Sequence, residues 1–354
     1  MKTHTDRLPG FLGSGEKKIV FYHTDTDGIS AVSIFLKFYP EFETYPLEGP
    51  MLNDRLVRHL KNKKPDVMVM LDLPLDQEAN KLEDLQKVMP ELKMVIIDHH
   101  IAEKDMNSPN TVHINPRFDS KDYIPAGVIV YELMKEMGKD VSPYLWIAAV
   151  SVIGDHAFDD CAYILREAEK KYPETGKGDD SKLSLLAKQI MATVVKDGVN
   201  GAEKSVGYMR GIEKWEDAAD NRYFSGCFDK VEGEIKSKMS GFREKAVEFP
   251  NLDMIFYRID SQLSIASTIS TRLADMNPEK LIFVIKKSGN MMKVSARCQK
   301  GDISLNDILK KAVKGIGSGG GHVKAAGAVV PLRDWPEFEK RIMSIVQEAR
   351  SSSA

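Results

Sequence analysis

The side chains best equipped for chemistry are histidines and aspartates gathered in short, regularly spaced clusters. His23-Thr24-Asp25-Thr26-Asp27-Gly28 follows the apolar run 19–22, and Asp72-Leu73-Pro74 closes the apolar run 67–73. Asp98-His99-His100 directly follows the run 94–97. The alternation His23, Asp25, Asp27 would point three ligand-type side chains the same way if the backbone stayed extended. Carboxylates with imidazoles, and no thiolates, suit Mn²⁺ or Mg²⁺ better than structural zinc. So many carboxylates suggest two cations, and a pair about 3.5–4 Å apart stabilises the attacking and leaving oxygens of an in-line displacement at phosphorus. Asp155, at the end of the apolar stretch that includes Val152-Ile153-Gly154, supplies the fourth carboxylate such a site needs. Plainer readings stand beside this one. The first cluster also describes a turn whose aspartates cap the next helix, and Asp72 could be only a strand-end cap. Two adjacent histidines and an aspartate after a buried strand are harder to explain structurally. His156 could support the site or be structural, and Asp159 and Asp160 read as a solvated turn or a helix N-cap.

A second set lies near the C-terminus. Gly315 to His322 holds five glycines, read as a loop free to bring backbone N–H groups onto an anion; the plain alternative is a flexible surface loop. Arg297, on an expected strand, could clamp a phosphate with its planar fork. Lys324 and Arg272 read mainly as surface charges.

These residues need elements to hold them. Residues 19–22, 67–73 and 94–97 have the length and apolarity of strands buried on both faces, and 29–38 and 77–88 have helical spacing. Strand–helix alternation predicts a parallel sheet with helices on both sides, and ligands bind outside the carboxyl ends of such strands. The three clusters should therefore converge on one crevice. Helical spacing continues over 127–137, 144–153, 183–195 and 202–209, broken by a polar stretch at 172–181. Residues 228–249 read as one connecting helix ended by Pro250. Beyond it, strands are expected at 254–257, 281–285 and 291–296 and helices at 265–276, 305–313 and 335–349, with the tail 351–354 frayed. The domains would be 15–225, a connecting helix at 226–250, and a smaller mixed α/β domain at 251–350.

Composition narrows the class. The 354 residues are 42% apolar and 29% charged, which excludes wholesale disorder and coiled coil. The formal charge is −2, with 50 basic and 52 acidic side chains, so nucleic-acid contact calls for a localised groove rather than a basic surface. Residues 251–354 hold 16 basic and 10 acidic side chains, the first 250 residues 34 and 42. The sum thus conceals an acidic part, which carries the candidate metal ligands, and a basic part, which carries the glycine-rich segment and Arg297. Three scattered cysteines, a polar stretch 1–15 without a signal-peptide core, and no run of 18 apolar residues fit a cytoplasmic protein away from the membrane.

In combination and order, His23-x-Asp25-x-Asp27-Gly28, Asp72, Asp98-His99-His100 and Gly154-Asp155 resemble the four motifs of the DHH phosphoesterases. Gly317-Ser318-Gly319-Gly320-Gly321-His322 is similar to the GGGH motif of their companion DHHA1 domain, and Val294-Ser295-Ala296-Arg297 to its Ser-x-Arg strand. The resemblance spans residues 17–345. It implies a parallel-sheet DHH domain with a helical extension and a mixed α/β DHHA1 domain, working with two Mn²⁺ or Mg²⁺. His23, Asp25 and Asp72 would hold one metal; Asp27, Asp72, His99 and Asp155 would hold the other, with Asp72 bridging. His100 would touch the scissile phosphate or leaving oxygen, and Asp98 would orient a histidine. Ser295, Arg297, Gly319, Gly320, Gly321 and His322 would bind substrate. The implied activity is that of a RecJ-like exonuclease on single-stranded DNA or RNA, the alternative being a nanoRNase or linear-dinucleotide phosphodiesterase. In another class altogether, the chain would be a replication- or repair-associated binding protein.

Overall fold

The computed structural model describes residues 5–49 and 52–353, and the chain divides after Phe228 into two compact units. The first is built on a five-stranded parallel sheet with strand order β2-β1-β3-β4-β5. Its strands are β1 (Lys18–His23), β2 (Glu43–Leu47), β3 (Val67–Leu71), β4 (Lys93–Ile97) and β5 (Thr111–Ile114). Side chains on a strand alternate between its faces, and here both faces are apolar. Val20, Tyr22, Val69, Leu71, Val95 and Ile97 enter one core with the helices Thr26–Phe38, Ala126–Glu136 and Leu145–Gly154. Ile19, Phe21, Met68, Met70, Met94 and Ile96 enter a second core with the helices Asp54–Lys63 and Ala79–Val88. A one-residue slip would exchange the two sets, so burial pins the register. The order reverses at β1, which pairs with β2 on one side and β3 on the other; this switch point is where open α/β sheets bind ligands.

β2 and β5 escape sequence reading because both are edge strands with weak signatures. β2 carries Pro46, which an edge tolerates, and β5 is only four residues long and includes His113. The helices Asp54–Lys63 and Ala162–Lys171 were likewise unanticipated.

The second unit holds a mixed six-stranded sheet in the order β10-β11-β9-β8-β7-β6. Its strands are β6 (Ala246–Phe249), β7 (Met254–Ile259), β8 (Leu281–Ser288), β9 (Met291–Arg297), β10 (Ser318–Gly321) and β11 (Ala325–Pro331). Only β7 and β8 pair in parallel. The helices Leu305–Ala312 and Trp335–Ser353 cover one apolar face, and Ala266–Met276 packs on β8 and β9.

Three expectations need correction. Residues 228–249 are not one helix: Arg222–Ser240 ends before a short turn of helix, Phe242–Lys245, and then β6. β6 forms because Ala246–Phe249 pairs antiparallel with β7, a non-local contact invisible in the segment itself. The glycine-rich segment is not a free loop, because Ser318–Gly321 pairs with β11. The C-terminal helix runs on to Ser353 instead of fraying at 351, and Ala354 lies outside the described residues.

Candidate metal centre

The site grows from the turns at the carboxyl ends of β1, β3 and β4 and from the turn that ends the helix Leu145–Gly154. β1 ends at His23, and the chain does not stay extended as the alternation required. Asp25 becomes the N-cap of the helix Thr26–Phe38, its Oδ1 accepting from Gly28 N at 2.9 Å. Its other oxygen lies 2.8 Å from His23 Nδ1, so one oxygen caps the helix and the other is left facing the imidazole. Gly28 is a steric necessity, since a Cβ there would lie 2.2 Å from the His23 carbonyl oxygen. Gly28→Ala should therefore cost roughly 1–3 kcal/mol of stability; an unchanged urea midpoint would contradict this.

Asp72 leaves β3 with φ +59, uncommon for a non-glycine residue but within the range aspartate tolerates. This turns its carboxylate into the middle of the site. Oδ2 lies 3.3 Å from His23 Nδ1, and Oδ1 lies 3.2 Å from His99 Nε2. His99 Nε2 is also 3.4 Å from Asp155 Oδ2 and 4.0 Å from Asp27 Oδ2. Ligand atoms of His23, Asp25 and Asp72, and of Asp27, His99 and Asp155, thus gather in two groups, each within 4.8 Å. Asp98, His99 and His100 form a third group with Asp72. Asp98 Oδ1 holds His100 Nδ1 at 2.8 Å, and the His100 side chain is 44% exposed.

Asp27 is fully buried and serves a second purpose. Its oxygens accept from Ala126 N (2.7 Å), Gly127 N (2.9 Å) and Ser151 Oγ (2.5 Å). It thereby caps the helix Ala126–Glu136, whose own N-cap residue, Pro125, offers no side-chain cap.

Charge is crowded here. Burial, then the Asp72 and Asp155 carboxylates, raise the Asp27 pKa well above the usual range. Burial also raises Asp155, to about 6, with Asp72 and Asp25 adding to it and His99 opposing. Burial favours a neutral His23 ring, but Asp25 and Asp72 overcome it and push the pKa up to about 10. His99 follows the same balance to about 9, through Asp72, Asp27 and Asp155. Neither Asp72 oxygen accepts an aligned hydrogen bond, and buried His99 Nδ1 also lacks a partner. Buried carboxylate oxygens without donors, facing imidazole nitrogens across 3–4 Å, are a donor set that fits hard or borderline divalent cations.

Sequence reading missed the layer behind these groups. Tyr123 OH donates to Asp155 Oδ2 at 3.0 Å and its ring lies 4.8 Å from that of His99. Asn115 Nδ2 donates to the His100 carbonyl at 2.9 Å, and the Arg117 guanidinium lies over the Tyr123 ring. Asn115 and Arg117 follow the end of β5, the strand not anticipated. Ser151 sits one helical turn before Asp155, a spacing that could have found it. Asp160 accepts from Tyr123 N at 2.9 Å, and His156 is an exposed residue at φ +55.

In the second unit, Ser295 on β9, Gly327 on β11 and Gly320 on β10 stand in one register row. Ser295 Oγ lies 2.9 Å from Ser270 Oγ, and Arg297 Nη2 donates to Ser267 Oγ at 2.8 Å. Both serines come from the helix Ala266–Met276, and neither was anticipated. Gly321 needs to be glycine: its φ is +147 and a Cβ would lie 2.5 Å from Ala325 O. Gly319 lies on β10 and exposed His322 just beyond it, where His322 N donates to Ala325 O at 2.7 Å. Arg272 is taken by a two-pronged pair with Glu232, and Lys324 is exposed.

A five-stranded parallel sheet with carboxylates and imidazoles at its strand ends, and a mixed sheet with a glycine strand, define a two-domain hydrolase of the DHH type. The family model described as DHH family, N-terminal domain, matches residues 17–154, and that of the DHHA1 domain matches residues 253–349. The chain belongs to the DHH/DHHA1 phosphoesterase family. No curated protein matches the sequence. Solved structures of similar fold include RecJ in complex with Mn²⁺ from Thermus thermophilus (TM-score 0.75, 15% identity, 97% of this chain and 54% of that one). An exonuclease RecJ bound to manganese gives a TM-score of 0.72 at 17% identity, over 97% and 93% of the two chains. A pGpG-specific phosphodiesterase from Vibrio cholerae gives 0.52 at 11%, over 95% and 99%. This chain spans about half the length of the Thermus protein. Among the described residues no helix is long and apolar enough to cross a membrane.

Proposed function

We propose that the chain is a two-metal phosphodiesterase, a RecJ-like exonuclease that hydrolyses single-stranded DNA or RNA to nucleotides. The observation that carries this reading is Asp72, whose two oxygens face two separate ligand groups. His23, Asp25 and Asp72 would hold one Mn²⁺ or Mg²⁺, and Asp27, Asp72, His99 and Asp155 the second. Such cations, when bound, supply Lewis acidity that activates water and neutralises charge developing on the phosphoryl oxygens. The protein's own groups do the rest. Asp98 fixes the His100 ring and raises its pKa against the effect of burial, which favours the protonated ring that would donate to a phosphoryl or leaving oxygen. Tyr123 steadies Asp155, and Ser151 with the Ala126 and Gly127 amides steadies Asp27. Arg297, Ser295 and Gly319 to His322 would grip the substrate's phosphate, Arg297 with the N–H groups not engaged by Ser267 and Ala296.

The test is digestion of end-labelled DNA and RNA of 2 to 40 nucleotides with Mn²⁺, resolved by size. Single-nucleotide steps on long strands support the exonuclease. Cleavage confined to the shortest substrates would favour the dinucleotide-type phosphodiesterase instead, and no cleavage would overturn both.

Metal uptake should also release protons. His23 and His99, raised to about 10 and about 9, are imidazolium at pH 7, whereas a ligating imidazole is neutral. Raising the pH from 7 towards 9 weakens the competition from these protons, so the apparent Kd for Mn²⁺ should tighten across that range. Calorimetry in buffers of different ionisation enthalpy reads both effects; an affinity independent of pH would contradict the assigned ligands.

A further inference from the structure

Beside the metal centre, within the first unit, lies a cavity of about 370 Å³ whose wall begins at Asp25. Ile153, Phe158 and Met191 give it an apolar lining, and Lys188 and Asp179 add charge. Phe158 and Met191 are large apolar side chains left 37% and 39% exposed, outside the hydrophobic cores. His156, another lining residue, takes the left-handed backbone region at φ +55, a strained choice for a non-glycine residue. Its ring meets Phe158 edge-on at 5.7 Å between centroids. The cavity therefore pairs an aromatic and a thioether surface with one amine, and it is continuous with a proposed metal ligand. Asp25 and Asp179 make it unwelcoming to a second phosphate. A flat, uncharged ring attached to a phosphate held at the centre fits it better.

We propose that this cavity is a nucleobase subsite, in which Phe158 and Met191 stack on the base of a nucleotide flanking the scissile phosphodiester, with Lys188 reaching its polar edge. The subsite rests on the phosphodiesterase reading above and extends it to substrate positioning. Stacking tolerates every base because each has a π-face, so the subsite would favour nucleotides over simple phosphodiesters without reading sequence.

The experiment uses the full chain with Mn²⁺ and a dinucleotide containing 2-aminopurine, whose fluorescence is quenched on stacking. Phe158→Ala, Phe158→Trp and Leu185→Ala are compared with wild type, Leu185 being an exposed apolar residue outside the cavity. Phe158→Ala should lose the quenching and raise KM roughly 10-fold while kcat stays within about twofold of wild type; Phe158→Trp should restore both, and Leu185→Ala should match wild type. Wild-type quenching and KM in Phe158→Ala would overturn the subsite, as would a loss of kcat at unchanged KM. Hydrolysis that does not depend on Phe158 removes the subsite and leaves the phosphodiesterase reading standing. Quenching that depends on Phe158 without hydrolysis keeps the subsite and removes that reading.

Discussion

Asp72→Asn is expected to lower Mn²⁺-dependent phosphodiester hydrolysis on the order of 10³-fold and to abolish the metal's effect on thermal stability. Asparagine keeps the volume and tolerates the positive φ of this position, so the fold survives. What it loses is the second anionic oxygen and the charge that both ligand groups share. In the wild type, a cation at 100 times its Kd stabilises the folded state by about 2.7 kcal/mol, or roughly 5–10 °C in Tm for a unit of this size. Differential scanning with and without Mn²⁺ should show that rise in the wild type and not in the variant. A retained rise, or turnover near the wild-type rate, would remove Asp72 from the centre of the site.

Asp27→Ala is expected to damage the fold as well as the site. The carboxylate of Asp27 is fully buried and accepts from two helix-terminal amides and the Ser151 hydroxyl. Truncation leaves three buried donors without an acceptor, at a cost of about 3–5 kcal/mol. Asp27→Asn should be milder but still harmful, because the amide turns an N–H₂ towards a backbone N–H that can only donate. Equilibrium urea unfolding of the metal-free proteins should rank wild type above Asp27→Asn above Asp27→Ala. Coincident midpoints would show that the Ala126–Glu136 helix does not depend on this cap. The two aspartates thus differ in kind. The Asp72 carboxylate accepts no aligned hydrogen bond and faces ligand groups, whereas that of Asp27 holds a helix in place.

Much of this was legible in the sequence, for a local reason. Strands buried on both faces of a parallel sheet must be continuous apolar runs, so a His or Asp directly after such a run stands at a strand end. His23, Asp72 and Asp98-His99-His100 are nominated that way, as is Asp155 after its apolar helix. The family resemblance then tied the motifs to one fold, and the family models match both domains.

What the sequence could not determine depends on partners remote along the chain. Edge strands β2 and β6 exist because a neighbour offers backbone groups, not because their own residues demand extension. The glycine segment is a strand through pairing with β11, whereas glycine alone favours no conformation. Asp27 meets amides about a hundred residues away, Tyr123 reaches Asp155, and Ser267 reaches Arg297; no spacing rule encodes such encounters. Residue types and local periodicity were enough to nominate the carboxylates and imidazoles. Only the tertiary structure decided how Asp25 and Asp27 divide their oxygens between helix and site, and why Asp72, turned by a positive φ, stands between the two groups.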